Sequence, residues 1–324
     1  MPLVNFKIIK LKMVEKEENN TLILSKRKKM LNIHIIIILL SIPLLLVGIL
    51  YFKIYSITNY FLYILIQILL YLVISTILIL TTNKSEINHY LIGLSLSIIF
   101  SFSISMAFFT GSIYYPLFLY FITLCIYHYS EYLSVLIYHF DKISCEFYLI
   151  DHSKGWVIST LASFAEMVIE TYYFNKYKKI KIFFFIGLIL TIIGQYFRIA
   201  ALFTGKKNFT HRIRYKKDEQ HELIMNGIYS LSRHPSYFGF FIWSVGIEIM
   251  CCNPICTIAF AVVLFKFFKK RILIEEALLI QFFGEKYLEY KKHVGVLIPF
   301  ISMNKEDEEK NLRIYLKNKE SNKE

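Results

Sequence analysis

Long apolar blocks alternate with short polar stretches along most of the chain. Six blocks lie at roughly 34–51, 58–80, 89–109, 113–129, 155–174 and 180–204. Each approaches the ~20 residues that a helix needs to cross a bilayer. Polar residues at 81–85 separate the second from the third, and Thr110-Gly111-Ser112 separates the third from the fourth. Two shorter blocks, 236–252 and 255–269, flank the turn signal Asn253-Pro254 and predict a helical hairpin. The pattern predicts an all-α, polytopic integral membrane protein with about eight transmembrane helices. It divides the chain into a basic tail at 1–30, a helical bundle at 31–205, a more polar region with the hairpin at 206–302 and a charged tail at 303–324.

Composition supports this pattern. Hydrophobic residues make up 56% of the 324, against ~45–50% in soluble domains. The net charge of +13 comes from lysines and arginines at the ends and between apolar blocks. That is the positive-inside distribution rather than a nucleic-acid face, so no nucleic-acid partner is expected. Lys26-Arg27-Lys28-Lys29 before the first block places the N-terminus in the cytosol, and an even number of spans places the C-terminus there too. Lys176-Tyr-Lys-Lys-Ile-Lys181 then falls on the lumenal side, against the tendency. The long polar leader marks the first block as a retained span rather than a cleaved signal. Cys125, Cys145, Cys251, Cys252 and Cys256 form no CxxC pair. They read as free thiols, with neither metal nor disulfide framework.

Candidate chemistry concentrates at Gly227-Ile-Tyr-Ser-Leu-Ser-Arg-His-Pro-Ser-Tyr237, a polar run between apolar segments. Pro235 favours a first helical turn and pushes His234 out of the α region. Ser236 and Tyr237 then open a helix whose free N–H groups and dipole suit an anion. An ordinary solvated loop is the alternative. Arg271 and Glu275 share a helix face, either as a surface ion pair or as a fork for a carboxylate beside an acceptor for hydroxyls or an ammonium. Glu166, Glu170 and Arg198 lie in neighbouring apolar blocks, where pairing between helices is the economical arrangement. Glu248 has no obvious partner, and His128-Tyr-Ser-Glu-Tyr132 reads as an interfacial aromatic cap, with a wall of the site as the alternative. GxSxG, HExxH, P-loop and Rossmann signatures are absent, so a nucleoside cofactor would need a membrane-embedded helical site.

Over roughly 205–300 the chain resembles the isoprenylcysteine carboxyl methyltransferases of the endoplasmic reticulum membrane. The resemblance is carried by Gly227-Ile-Tyr229, Arg233-His-Pro-Ser-Tyr237, Cys252-Asn-Pro-Ile-Cys256, Arg271, Glu275-Glu276 and Phe283-Gly-Glu-Lys-Tyr-Leu-Glu-Tyr-Lys-Lys292. It implies S-adenosylmethionine as methyl donor and the C-terminal carboxylate of a prenylated cysteine, in CaaX-type proteins such as small GTPases, as acceptor. It also implies cofactor contacts at His221, Glu222, Leu223, Ile224, Tyr229, His234, Pro235, Ser236, Tyr237 and Glu275, with Arg271 on the acceptor carboxylate. The family often has glutamine at the position of Arg214, where arginine can pair with a cofactor carboxylate. The Arg-His-Pro-x-Tyr core is shared with phospholipid methyltransferases and sterol reductases. An amine-lipid methyltransferase, a nicotinamide-dependent reductase and a non-enzymatic transporter are the competing readings.

Overall fold

The computed structural model describes residues 21–42, 44, 48, 60–109, 114–150, 153–178, 181–298 and 301. Most of the two expected tails and the Thr110–Ser112 turn lie outside the described residues. Among the described residues every regular element is helical. Helix α1 covers residues 21–42. It is followed by α2 (Tyr60–Thr81), α3 (Ile87–Phe109), α4 (Tyr115–Tyr138), α5 (Lys154–Tyr173), the short α6 (Asn175–Lys178), α7 (Lys181–Gly205), α8 (Pro235–Met250), α9 (Pro254–Phe283) and α10 (Glu285–His293). Where they are described, the apolar blocks thus become helices.

Three helices among the described residues are long and apolar enough to cross a membrane: Leu62–Thr81, Ile87–Phe108 and Lys181–Asn208. Helix α8, with 16 residues, is shorter than a perpendicular span needs. Helix α5 carries Lys154, Glu166 and Glu170 among its apolar residues.

The chain forms two compact units, one of residues 1–111 and 124–150, the other of 112–123 and 151–324. The first unit buries Met30, Ile37, Tyr90, Leu94, Tyr132, Leu136 and Tyr148 together. Its core is threaded by polar contacts. His34 Nδ1 lies 3.0 Å from the Tyr129 hydroxyl, and His89 Nδ1 lies 3.0 Å from that of Tyr132. Tyr132 stacks on Tyr148 at 4.0 Å, and His128 Nδ1 sits 2.7 Å from the Tyr148 carbonyl. The His128–Tyr132 run is therefore interior, with Glu131 and Tyr132 fully buried, and not the expected interfacial cap. On α4, His128 meets the Tyr148 carbonyl and Tyr132 meets His89 Nδ1, while the Tyr148 hydroxyl donates to the His89 carbonyl at 2.9 Å.

The second unit is built on a glycine seam. A Cβ at Gly194 would lie 2.3 Å from the Trp243 nitrogen, and one at Gly187 would lie 2.1 Å from that of Met250. On the facing helix Gly239 and Gly246 are equally constrained, by the Arg198 and Thr191 nitrogens. Each pair is seven residues apart, so the glycines recur on one face and let α7 and α8 touch backbone to backbone.

The acids of the apolar blocks are paired differently from expectation. Glu166 accepts the Ile255 and Cys256 N–H groups, both at 2.7 Å, and so caps the start of α9. Glu170 pairs with Lys178 at 2.8 Å. Arg198 instead donates to Ser236 Oγ at 2.5 Å. The physical reason is that the first turn of α9 has orphan N–H groups in an apolar setting, and a carboxylate satisfies two of them at once. Glu248, which had no obvious partner in the sequence, accepts from Ser163 Oγ at 2.8 Å and Asn253 Nδ2 at 2.8 Å. Lys178 donates to the Cys251 carbonyl at 2.6 Å and to Asn253 Oδ1 at 2.9 Å. The basic loop that broke the charge rule thus has its central lysine buried at the hairpin tip, capping α8.

Candidate active site

At the other end of the hairpin the polar run does what its residue types dictate. Gly227, at φ +58°, turns the chain into a short 3₁₀ segment, Gly227–Ser230. Pro235 occupies the first turn of α8, and His234, at φ −125° and ψ 59°, stays outside the helix. Ser232 and His234 are buried, which excludes the solvated-loop reading.

Helix α9 continues well past the apolar block that announced it, and its last turns face this corner. Tyr237 donates to Glu275 Oε2 at 2.5 Å and receives Arg271 Nε at 2.7 Å. Arg271 and Glu275 are thus bridged through a phenol rather than paired directly. Arg271 Nη2 also donates to the His211 carbonyl at 2.5 Å, and its guanidinium lies 5.3 Å from the Tyr237 ring centroid. The His234 ring stacks on Tyr237 at 5.5 Å.

Behind this layer stands Glu276, fully buried. It accepts Arg233 Nε at 2.8 Å and the Tyr287 hydroxyl at 2.7 Å, faces His234 Nε2 at 3.0 Å and has Lys291 Nζ at 3.4 Å. Burial pushes its carboxyl up, but the bonds and charges of His234 and Arg233 outweigh that and hold it well below the usual carboxylate range. Gly284, at φ 55°, breaks α9 from α10 and brings Tyr287 and Tyr290 inward. Tyr290 closes the corner by donating to the Tyr229 carbonyl at 2.5 Å.

These elements enclose a cleft of about 860 Å³ measured out to its open mouth. Its walls include Arg214, His221, Glu222, Leu223, Ile224, Tyr229, His234, Pro235, Ser236, Tyr237 and Glu275. The positions implied as cofactor contacts therefore come together in space, although they span three separate parts of the chain. Arg271 is not a wall residue but stands directly behind Tyr237. The 206–222 segment is fastened across the rim by Lys217 Nζ on the Phe282 carbonyl at 2.6 Å and braced internally by Arg214 Nη2 on the Lys207 carbonyl at 2.9 Å. His221 packs edge-on to Phe283 at 5.0 Å, with Nδ1 buried and unpartnered. Burial first, then the charges of Arg214 and Lys217, lower its imidazole to about 4.

Sequence reasoning missed Glu276 as the buried hub, and Phe209, Phe282 and Phe283 as walls. Tyr287 and Tyr290, three apart, mark one face of α10, and that spacing was a usable signal.

Residues 187–281 match the isoprenylcysteine carboxyl methyltransferase (ICMT) family. The chain is 39% identical to human protein-S-isoprenylcysteine O-methyltransferase over 58% of its own length and 66% of the human protein, just under two thirds of that relative. The protein of the same name from Dictyostelium discoideum is 43% identical over 55% of this chain and 75% of its own. The solved structure of a eukaryotic intramembrane Ras methyltransferase, ICMT, superposes with a TM-score of 0.77 at 30% identity, over 85% of this chain and 97% of that one. A methyltransferase family implies a methyl donor. By sequence and by fold, the chain belongs to the isoprenylcysteine carboxyl methyltransferase family.

Proposed function

We propose that this chain is an S-adenosylmethionine-dependent protein-S-isoprenylcysteine O-methyltransferase of the endoplasmic reticulum membrane. It esterifies the C-terminal carboxylate of prenylated CaaX-type proteins such as small GTPases. The supporting observation is a single cleft that joins an acid, a helix start and an aromatic wall, with Arg271 one phenol away. Eight spans with both termini cytosolic, and a boundary near 205 between bundle and site region, complete the reading.

The donor set fits the cofactor. Glu275 and Glu222 offer acceptors for an ammonium or ribose hydroxyls, and Arg214 with the α8 start suits a carboxylate. The unpartnered Nδ1 of His221, between Phe282 and Phe283, suits the polar edge of a flat heterocycle. When bound, S-adenosylmethionine supplies an electrophilic methyl group. A carboxylate of pKa ~3.5 is already ionised at neutral pH, so its methylation needs no general base. The protein's task is then to orient the acceptor and exclude water. Arg271, with Nε and Nη2 engaged, presents Nη1 to the acceptor carboxylate. Tyr237 ties that arginine to Glu275, so the two halves of the site are positioned by one hydroxyl. Glu276 fixes His234 and Arg233 and makes the corner rigid.

The test is transfer of labelled methyl from S-adenosylmethionine to a farnesylcysteine analogue, with release of the label by mild base. Cofactor binding without base-labile ester would refute the reading. Base-resistant methylation of an amine lipid would replace it.

A further inference from the structure

Two exposed apolar faces of the second unit end in cations, at the end that holds the cleft. On α7, Ile182, Phe185, Ile189, Ile192 and Tyr196 are exposed. That helix ends at Gly205 in the cleft wall, and exposed Lys206 and Lys207 follow. On α9, Ile255, Ile258 and Val262 are exposed at helical spacing, and the same face continues into exposed Lys266, Lys269 and Lys270. The Arg271 bond to the His211 carbonyl brings exposed Arg212 beside them. Among the described residues none of these six cations pairs with a carboxylate. At the opposite end Lys178 is paired with Glu170 at 2.8 Å, while Lys176 and Lys181 are exposed.

Cations that continue a lipid-facing stripe lay their aliphatic stems along it and hold their charges at headgroup depth. Crowded like charges repel one another unless anions come between them. We propose that Lys206, Lys207, Arg212, Lys266, Lys269 and Lys270 form a belt that binds anionic phospholipid headgroups of the leaflet at the cleft end. The proposal rests on the membrane-embedded reading of this unit and not on methyl transfer. The apolar stripe directly below the cations favours a lipid over a soluble anion or an acidic peptide, neither of which would need it.

The test uses the full chain in mixed micelles with equal phosphatidylcholine and phosphatidylserine, with retained lipid read by native mass spectrometry. Phosphatidylserine is expected to be retained preferentially. Lys266→Gln, Lys269→Gln and Lys270→Gln are each expected to lower that preference about fivefold, equivalent to ~1 kcal/mol per cation. Lys176→Gln with Lys181→Gln, at the other end, is expected to keep it. Equal retention of both lipids by the parent chain overturns the proposal, as does the same loss in the control. Displacement of the lipid by millimolar inorganic phosphate identifies a free-anion site and overturns it too. Lipid retention is read without turnover, so this result and the methyl-transfer assay fail independently.

Discussion

Glu276 is surrounded by Arg233, His234, Tyr287 and Lys291 with no exposure to solvent. Removing a buried carboxylate from such a set strands its partners. Glu276→Ala is expected to cost about 3–5 kcal/mol of stability, measured by denaturant titration in detergent. Glu276→Gln keeps the shape and should lose less. Arg271→Ala has a different signature. It should cut methyl transfer by two orders of magnitude or more while changing cofactor affinity only a few-fold, because Tyr237 keeps its bond to Glu275. Arg271→Lys should not rescue it, since lysine cannot hold Tyr237 and a carboxylate with one planar fork. His221 adds a pH dependence. A histidine in the unfolded chain takes up its proton near ~6.5, whereas the folded one does so at about 4. Between those values the unfolded state binds more protons, so stability falls as pH drops from about 6.5 toward 4 and is whole above it. Partial exposure makes the effect small. The midpoint difference between parent and His221→Asn should shrink from pH 7 to pH 5. At this scale the sequence made Arg271 and Glu275 visible through their spacing. Glu276 stayed hidden because neighbouring acids look alike until a fold buries one of them.

Among the helices, hydropathy blocks gave positions well and interfaces poorly. The blocks at 58–80, 89–109 and 180–204 became α2, α3 and α7 with small shifts at the ends. The block at 255–269 understated α9, which runs unbroken to Phe283. Apolar counting stops at the first lysines, whereas the helix continues through good helix formers such as Leu, Glu and Ala. The α7–α8 seam was present in the sequence as two glycine pairs seven apart, a spacing that matters only once both helices are known to face each other. Gly194→Ala should cost about 1–3 kcal/mol, because its methyl would meet the Trp243 backbone at 2.3 Å. The effect should appear as a lower thermal midpoint. Gly295→Ala, with nothing within 4 Å, is the matched control and should be near neutral. Since Arg198 and Ser236 straddle this seam, loss of packing there should also loosen the first turn of α8 and weaken cofactor binding.

For the molecule as a whole, the second unit has two chemically distinct ends. The cleft end carries Arg214, Arg271, Glu275 and the unpaired belt, while the hairpin tip uses Lys178, Glu166 and Glu248 to satisfy its own backbone and side chains. That contrast bears on one lysine of the basic 176–181 loop. Lys178 contributes little to an outward charge bias, because it is consumed by Glu170 and the Cys251 carbonyl. The proposed belt would put the cleft end on the cytosolic side by the positive-inside tendency, where a water-soluble donor is available. Cysteine accessibility decides the matter in sealed microsomes. Cys145 and Cys252 are partly exposed and would be replaced by serine first. Lys216→Cys or Lys292→Cys, both exposed at the cleft end, should react with a membrane-impermeant maleimide without detergent. Lys176→Cys, exposed near the tip, should react only after permeabilisation. Labelling of both ends in sealed vesicles would mean that this unit does not cross the bilayer as assigned, and labelling of the tip alone would invert it.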